Sequence, residues 1–175
     1  NSTGNGLDMA ISGEGFFQVL LPSGNVAYTR AGNFSLSAEG QIVNSSGYVV
    51  QPAITIPAGS SSITLAKDGS LSAILPGATL ATPIGQMTIA NFPNPAAMQA
   101  LGDNLYQETG ASGAALVGQP GTAGRGTLSQ GYLEASNVNT VQELVDMIEC
   151  QRAYEINSKM ISAVDEMLKN ANQTL

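Results

Sequence analysis

Histidine and tryptophan are missing from all 175 residues, and cysteine occurs once, at Cys150. Without histidine there is no Ser-His-Asp or Cys-His pair, no imidazole acid–base relay and no histidine-containing metal site. A single thiol can neither close an intrachain disulfide nor gather a thiolate cluster. No run of roughly eighteen apolar residues is present to span a bilayer as a helix. The opening residues, Asn1-Ser2-Thr3-Gly4-Asn5-Gly6, lack the charged-then-apolar pattern of an export signal. Charge is scarce as well: 11% of residues, against about a quarter in ordinary domains. The formal charge of −7 comes from six basic and thirteen acidic residues, and so few scattered cations cannot neutralise a row of phosphates. Nucleic acid is excluded as a partner. Aromatics are 5%, which gives little support to a carbohydrate-binding or adhesion module built on an aromatic platform. The expectation is a chain with no catalytic residues, no metal ligands, no cofactor and no direct membrane insertion.

Three weaker signals stand against this. Asp103 with Glu108, and Asp165 with Glu166, are the carboxylate pairs an enzyme could use, but Asp165 and Glu166 are adjacent on a helix and face apart. Gly13-Glu14-Gly15 could suggest a phosphate loop, yet no Gly-Lys-Ser/Thr and no helix follow, so a turn is expected. Arg125, between Gly124 and Gly126, reads as an exposed loop charge, with a neighbour's carboxylate as the alternative partner.

What the chain does have is a long helix at its end. From Glu134 to Leu175 there is no glycine or proline, and seven of the thirteen acidic residues lie there. Thr140 with Glu143 fits a capping box, and Asn137 and Asn139 compete as N-caps. Val141, Leu144, Val145, Ile148, Ile156, Met160, Ala163 and Met167 advance by threes and fours with one double step, giving one apolar stripe. Met147, Tyr154, Ile161 and Leu168 recur every seventh residue and form a second line, joined by Cys150 and Val164. At about 100° per residue this second line lies roughly opposite the first. Apolar residues on two faces predict a helix sandwiched between partners, with Cys150 as a small buried hydrophobe. Gln151, Arg152 and Glu155 interrupt the first stripe as a polar layer that can set register. The plainer alternative is a core helix of a single domain; some thirty residues, about 45 Å of helix, are long for that.

Residues 1–133 are predicted to form a mainly β body, a sandwich or partly open barrel of short antiparallel strands. Strands are expected over residues 7–11, 16–21, 26–29, 34–36, 41–43, 48–51, 54–56, 63–65, 71–74, 86–92, 105–108 and 128–133. Asp68-Gly69 is the strongest hairpin signal. Asn94-Pro95 opens a short helix ended by Gly102, and 109–126, rich in Gly, Ala and Ser, is a flexible surface loop.

Leu7 through Val19, Tyr28-Thr29-Arg30-Ala31-Gly32-Asn33-Phe34, Gln130 through Asn139, Gln151 through Lys159 and Asp165-Glu166-Met167-Leu168 together resemble the bacterial flagellar rod and hook family. Gln51 through Pro57 and Asn94-Pro95-Ala96 look most like its distal-rod branch; proximal-rod or hook members are the alternative. The resemblance implies a subunit exported through the flagellar type III apparatus without a cleaved signal. It implies helical polymerisation into a torque-transmitting drive shaft across the periplasm. Its partners would be copies of itself, other rod and hook subunits, and the surrounding peptidoglycan- and outer-membrane-associated rings. The family's N-terminal helix, which pairs with the C-terminal one, is not in this sequence, which also lacks an initiator methionine; the chain is therefore expected to be a fragment. Residues expected at subunit contacts are Val141, Leu144, Val145, Ile148, Tyr154, Ile156, Met160, Ile161, Ala163, Val164, Met167 and Leu168. Sparse charge suits subunits packed on all sides, where unpaired charges are costly.

Overall fold

A computed structural model describes residues 2–60, 62–78, 80–135 and 140–173. The chain divides into two compact units, residues 1–135 and 136–175. Among the described residues the first unit holds fourteen strands: β1 (Met9–Ser12), β2 (Phe17–Leu20), β3 (Val26–Thr29), β4 (Ser35–Leu36), β5 (Ile42–Val43), β6 (Val49–Gln51), β7 (Ser62–Leu65), β8 (Ser70–Ile74), β9 (Ala81–Gln86), β10 (Ile89–Asn91), β11 (Gln99–Gly102), β12 (Leu105–Gln107), β13 (Leu116–Gly118) and β14 (Thr127–Gln130). The second unit is one helix, α1 (Thr140–Gln173).

All the pairings are antiparallel, as expected of the mainly β body, and the sheets are open. The largest sheet runs β11-β12-β3-β2-β6-β5-β4, beside a three-stranded β7-β8-β9 sheet and the pairs β1-β14 and β10-β13. Side chains alternate across the large sheet because successive strand residues point to opposite faces. Phe17 and Val19 of β2, with Ala27, Val50 and Leu105 from its neighbours, enter one buried core with Met9, Ile11, Leu71, Ile89 and Leu128. On the other face Gln18 lies opposite Tyr28, and Tyr28 opposite Tyr106. There Tyr28 meets Phe92 edge to face at 4.8 Å, and Phe16 meets Phe92 and Tyr106 at 5.9 and 6.1 Å. Covered on both faces, β2 is buried at Phe17, Gln18 and Val19. Burial holds the Tyr28 phenol above its ordinary 10.0, and the Glu108 carboxylate beside it adds to the shift.

Several local readings are corrected. The strand expected over 86–92 is broken at Met87 and Thr88, where the chain leaves one sheet for another: β9 pairs β8 and β10 pairs β13. Met87 N–H donates to Gly69 O at 2.8 Å. Pro83 lies inside β9, an edge strand, which is where a sheet tolerates a proline. The helix expected from Asn94 shrinks to a 3₁₀ turn, Pro95–Ala97. Asn94 makes no cap; its Nδ2 donates to Ala111 O at 3.4 Å. The chain then extends as β11 and turns through Asp103 and Asn104 at φ +50° and +58°. Two residues of positive φ make the tight turn whose twist suits a hairpin, and Asp and Asn adopt it more readily than most side chains. Ile54 and Ile56 fill the core while Thr55 makes only a single bridge, to Gln41, so no strand forms there.

The stretch 109–126 carries more order than its composition signals. It contributes β13 and buries Ser112, whose hydroxyl donates to Thr109 O at 2.9 Å. Arg125 turns back on this stretch: Nε donates to Gln119 O at 3.2 Å, Nη1 to Leu116 O at 3.4 Å and Nη2 to Thr122 Oγ1 at 3.2 Å.

Two outcomes follow for the body. A methyl at Gly32 would stand 1.6 Å from Met9 O, and backbone cannot yield as a side-chain tip can. Gly32→Ala is expected to cost about 3 kcal/mol or more in urea denaturation. Arg125→Ala is expected to cost the body about 1 kcal/mol and to speed amide exchange around Leu116–Thr122. Unchanged amide exchange there would contradict this internal role for Arg125.

Candidate functional site

The helix fulfils its sequence in length, running 34 residues from Thr140 to Gln173, about 51 Å. It continues through Asn170-Ala171-Asn172-Gln173. The N-cap candidates Asn137 and Asn139 lie outside the described residues, as does the side chain of Thr140. Glu143 stands in the first turn, where the helix dipole favours a negative charge.

Every α1 residue whose side chain is described is exposed. Among the described residues, eleven of the eighteen exposed large hydrophobics lie on this helix. Val141, Leu144, Val145, Ile148, Ile156, Met160 and Met167 of the first stripe, with Met147, Tyr154, Ile161 and Val164 of the second line, stand between 44% and 78% exposed. Ala163 is exposed too, and the side chain of Leu168 lies outside the described residues. Cys150, expected to be buried, is exposed. The reason lies in its position: it belongs to the second line, and with Met147, Gln151, Tyr154 and Glu155 it borders an open hollow of about 390 Å³. A cover for that line would cover the thiol.

Exposed apolar patches of more than a few hundred Å² on soluble domains mark surfaces that are covered in use. Burying what these eleven side chains expose would contribute on the order of 10–20 kcal/mol gross, before association and ordering costs. The chemistry this surface can do is association.

The acidic residues and the glycine turn singled out in the sequence take the following positions. Asp103 stands in the β11–β12 turn, while Glu108 accepts from Ala115 N–H at 3.3 Å and Tyr28 Oη–H at 3.5 Å. Asp165 and Glu166 have no described side chains. The Gly13-Glu14-Gly15 turn presents carbonyl oxygens rather than N–H groups: those of Gly13 and Gly15 accept from Arg30, and that of Glu14 accepts from Gly126 N–H at 2.7 Å. A ring of acceptors suits a cation and repels a phosphate. The groove beside it, about 440 Å³, has Glu14 and Arg30 as its charged lining. Among the described residues no cluster of His, Cys, Asp and Glu could hold a metal, and no helix is long and apolar enough to cross a membrane.

Sequence reasoning assigned no role to Arg30, Glu134 or Gln130, which the structure places at the end of the body. Arg30 Nε and Nη2 donate to the two oxygens of Glu134 at 3.0 and 3.2 Å. Gln130 Nε2 donates to Gly6 O and Ile63 O at 2.7 and 2.8 Å, while its Oε1 accepts Leu65 N–H at 3.0 Å. A signal for Arg30 did exist. It is the one cation before Lys67, and a lone guanidinium in charge-poor sequence needs acceptors.

The two ends of the chain match known families. Residues 10–73 match the flagellar hook protein FlgE/F/G D1 domain, and residues 129–174 match the flagellar basal body rod FlgEFG protein C-terminal region. The flagellar basal-body rod protein FlgG of Buchnera aphidicola is 52% identical over 166 residues, 95% of this chain and 64% of that protein. Its counterpart in Caulobacter vibrioides is 51% identical over 171 residues, 98% of this chain and 65% of that protein. The flagellar hook protein FlgE of Helicobacter pylori is 43% identical, but over 56% of this chain and 13% of its own length. The chain thus spans slightly under two thirds of the rod relatives it matches. With strand-rich body and long helix both accounted for, the chain belongs to the flagellar hook and basal-body rod family.

Proposed function

We propose that this chain is the β body and C-terminal helix of a structural subunit that polymerises helically into the distal rod of the flagellar basal body. Its work is to transmit torque from motor to hook, without catalysis. Residues 1–133 are the body, and 134–175 are the segment that joins one copy to its neighbours. The observation that carries this reading is the concentration of exposed apolar side chains on both faces of α1. A head-to-tail contact that does not close on itself builds a helical filament, and such a contact requires a surface of this kind. Similarity to FlgG over nearly the whole chain, against a hook-protein match over little more than half of it, favours rod over hook.

The contacts fall to Val141, Leu144, Val145, Ile148, Tyr154, Ile156, Met160, Ile161, Ala163, Val164, Met167 and Leu168. Gln151, Arg152 and Glu155 fix the register of the packed helices. Partners are copies of the same subunit and the adjoining rod and hook subunits, inside the peptidoglycan- and outer-membrane-associated rings. The rod crosses the periplasm, and its subunits reach it by flagellar export without a cleaved signal.

The test is a charge on the helix. Ile148→Asp and Met160→Lys place a charge where apolar burial is needed, at a cost of several kcal/mol per buried site. Because both residues are exposed in the single chain, thermal unfolding of the body is expected to be unchanged while polymerisation is lost. Co-sedimentation of either variant with wild-type polymer would contradict the assignment.

A further inference from the structure

Arg30 joins three parts of the body. Its Nη1 donates to Gly13 O at 2.9 Å and Gly15 O at 2.8 Å, and its guanidinium lies 5.9 Å from the centre of the Phe16 ring. Its other edge grips both oxygens of Glu134. Glu134 is the second-to-last residue of the body unit, which ends at Ala135.

An exposed ion pair contributes little when two long side chains must both be ordered to form it. Arg30 differs because two carbonyls and a ring already hold it. Glu134 meets a fixed planar fork, and the two-point fit sets direction as well as distance. The glycine turn is built for this. Gly13 and Gly15 have φ of +111° and +140°, which aims both carbonyls at one guanidinium and which L side chains rarely adopt. A second anchor lies four residues earlier, where the Gln130 amide pairs with β7 at Ile63 and Leu65 as a strand residue would.

We infer that Arg30 is a positioning residue for the exit of the chain from the body. It holds Leu133–Ala135 through Glu134, and torque passes between body and helix by way of this clamp. The second half of the inference rests on the rod reading, and the first half does not. An apolar neighbour could not replace the pair, because the glycine carbonyls would lose their donor.

The first arm of the test is ¹⁵N relaxation on the 175-residue chain. Glu134→Ala leaves both glycine bonds in place, so the body stays folded. Order parameters at Leu133–Ala135 are expected to fall from about 0.85 to below about 0.6, while Glu39→Ala, which removes an exposed turn carboxylate, changes nothing there. Unchanged order parameters in Glu134→Ala would overturn the clamp. The second arm puts Glu134→Ala and Arg30→Lys into the full-length protein in swimming cells. Rods are expected to assemble and swimming speed to fall severalfold. Normal swimming with a loosened exit would overturn the torque path. Relaxation of the single chain does not depend on polymerisation, so failure of the clamp and failure of the rod reading give different results.

Discussion

The constraint on which the rest depends is apolar surface that must be covered. A 34-residue helix with apolar side chains on two faces exposes groups that water disfavours by about 25 cal/mol for each Å². Isolated helices are marginal, and in proteins they gain most of their stability from packing. The sequence accepts this exposure because it retains Ile, Leu, Met and Val where a solvated helix would carry Lys, Glu or Gln. In the proposed filament the conflict is resolved, because neighbouring copies bury the surface that the single chain exposes. Sparse charge belongs to the same solution, since each unpaired charge enclosed by neighbours would be costly.

The body meets the opposite demand, that of holding one shape by itself. Its strands are short, so much of its definition comes from turns and from close backbone approach. Gly32 against Met9, Gly69 against Met87 and Gly126 against Ser12 are places where a side chain would collide with backbone. Polar groups that enter the interior are partnered. Asp8 accepts from Thr3 Oγ1 at 2.5 Å and Asn5 Nδ2 at 3.0 Å, and Gln18 Nε2 donates to Thr88 Oγ1 at 3.2 Å. Among the described residues no buried side-chain nitrogen or oxygen lacks a partner. Satisfied polar groups of this kind help hold the interior of the body in one arrangement.

Elements with a strong local code were legible in the sequence. The Asp68-Gly69 hairpin, the β2–β3 hairpin across Ser23-Gly24 and the long helix all form where periodicity and turn chemistry place them. Legibility failed where tertiary partners decide. Residues 86–92 look like one continuous strand, yet they serve two sheets, because Met87 bonds back to Gly69. Asn94-Pro95 carries a helix start, but the Asp103-Asn104 turn recruits the following residues into β11, since a strand with a partner outweighs the helical preference of so short a segment. On the helix, the apolar lines were readable residue by residue. Arg30 with Glu134 was not, because a contact across 104 residues leaves no periodic trace.

The central claim is that both apolar lines of α1 are covered by other chains in the working assembly. A cryo-electron microscopy map of the polymer at side-chain resolution addresses it directly. The account predicts Ile148, Ile156 and Met160 packed against one neighbour, and Met147, Tyr154 and Ile161 packed against another helix on the opposite side. A map with either line facing solvent or an open lumen would contradict it.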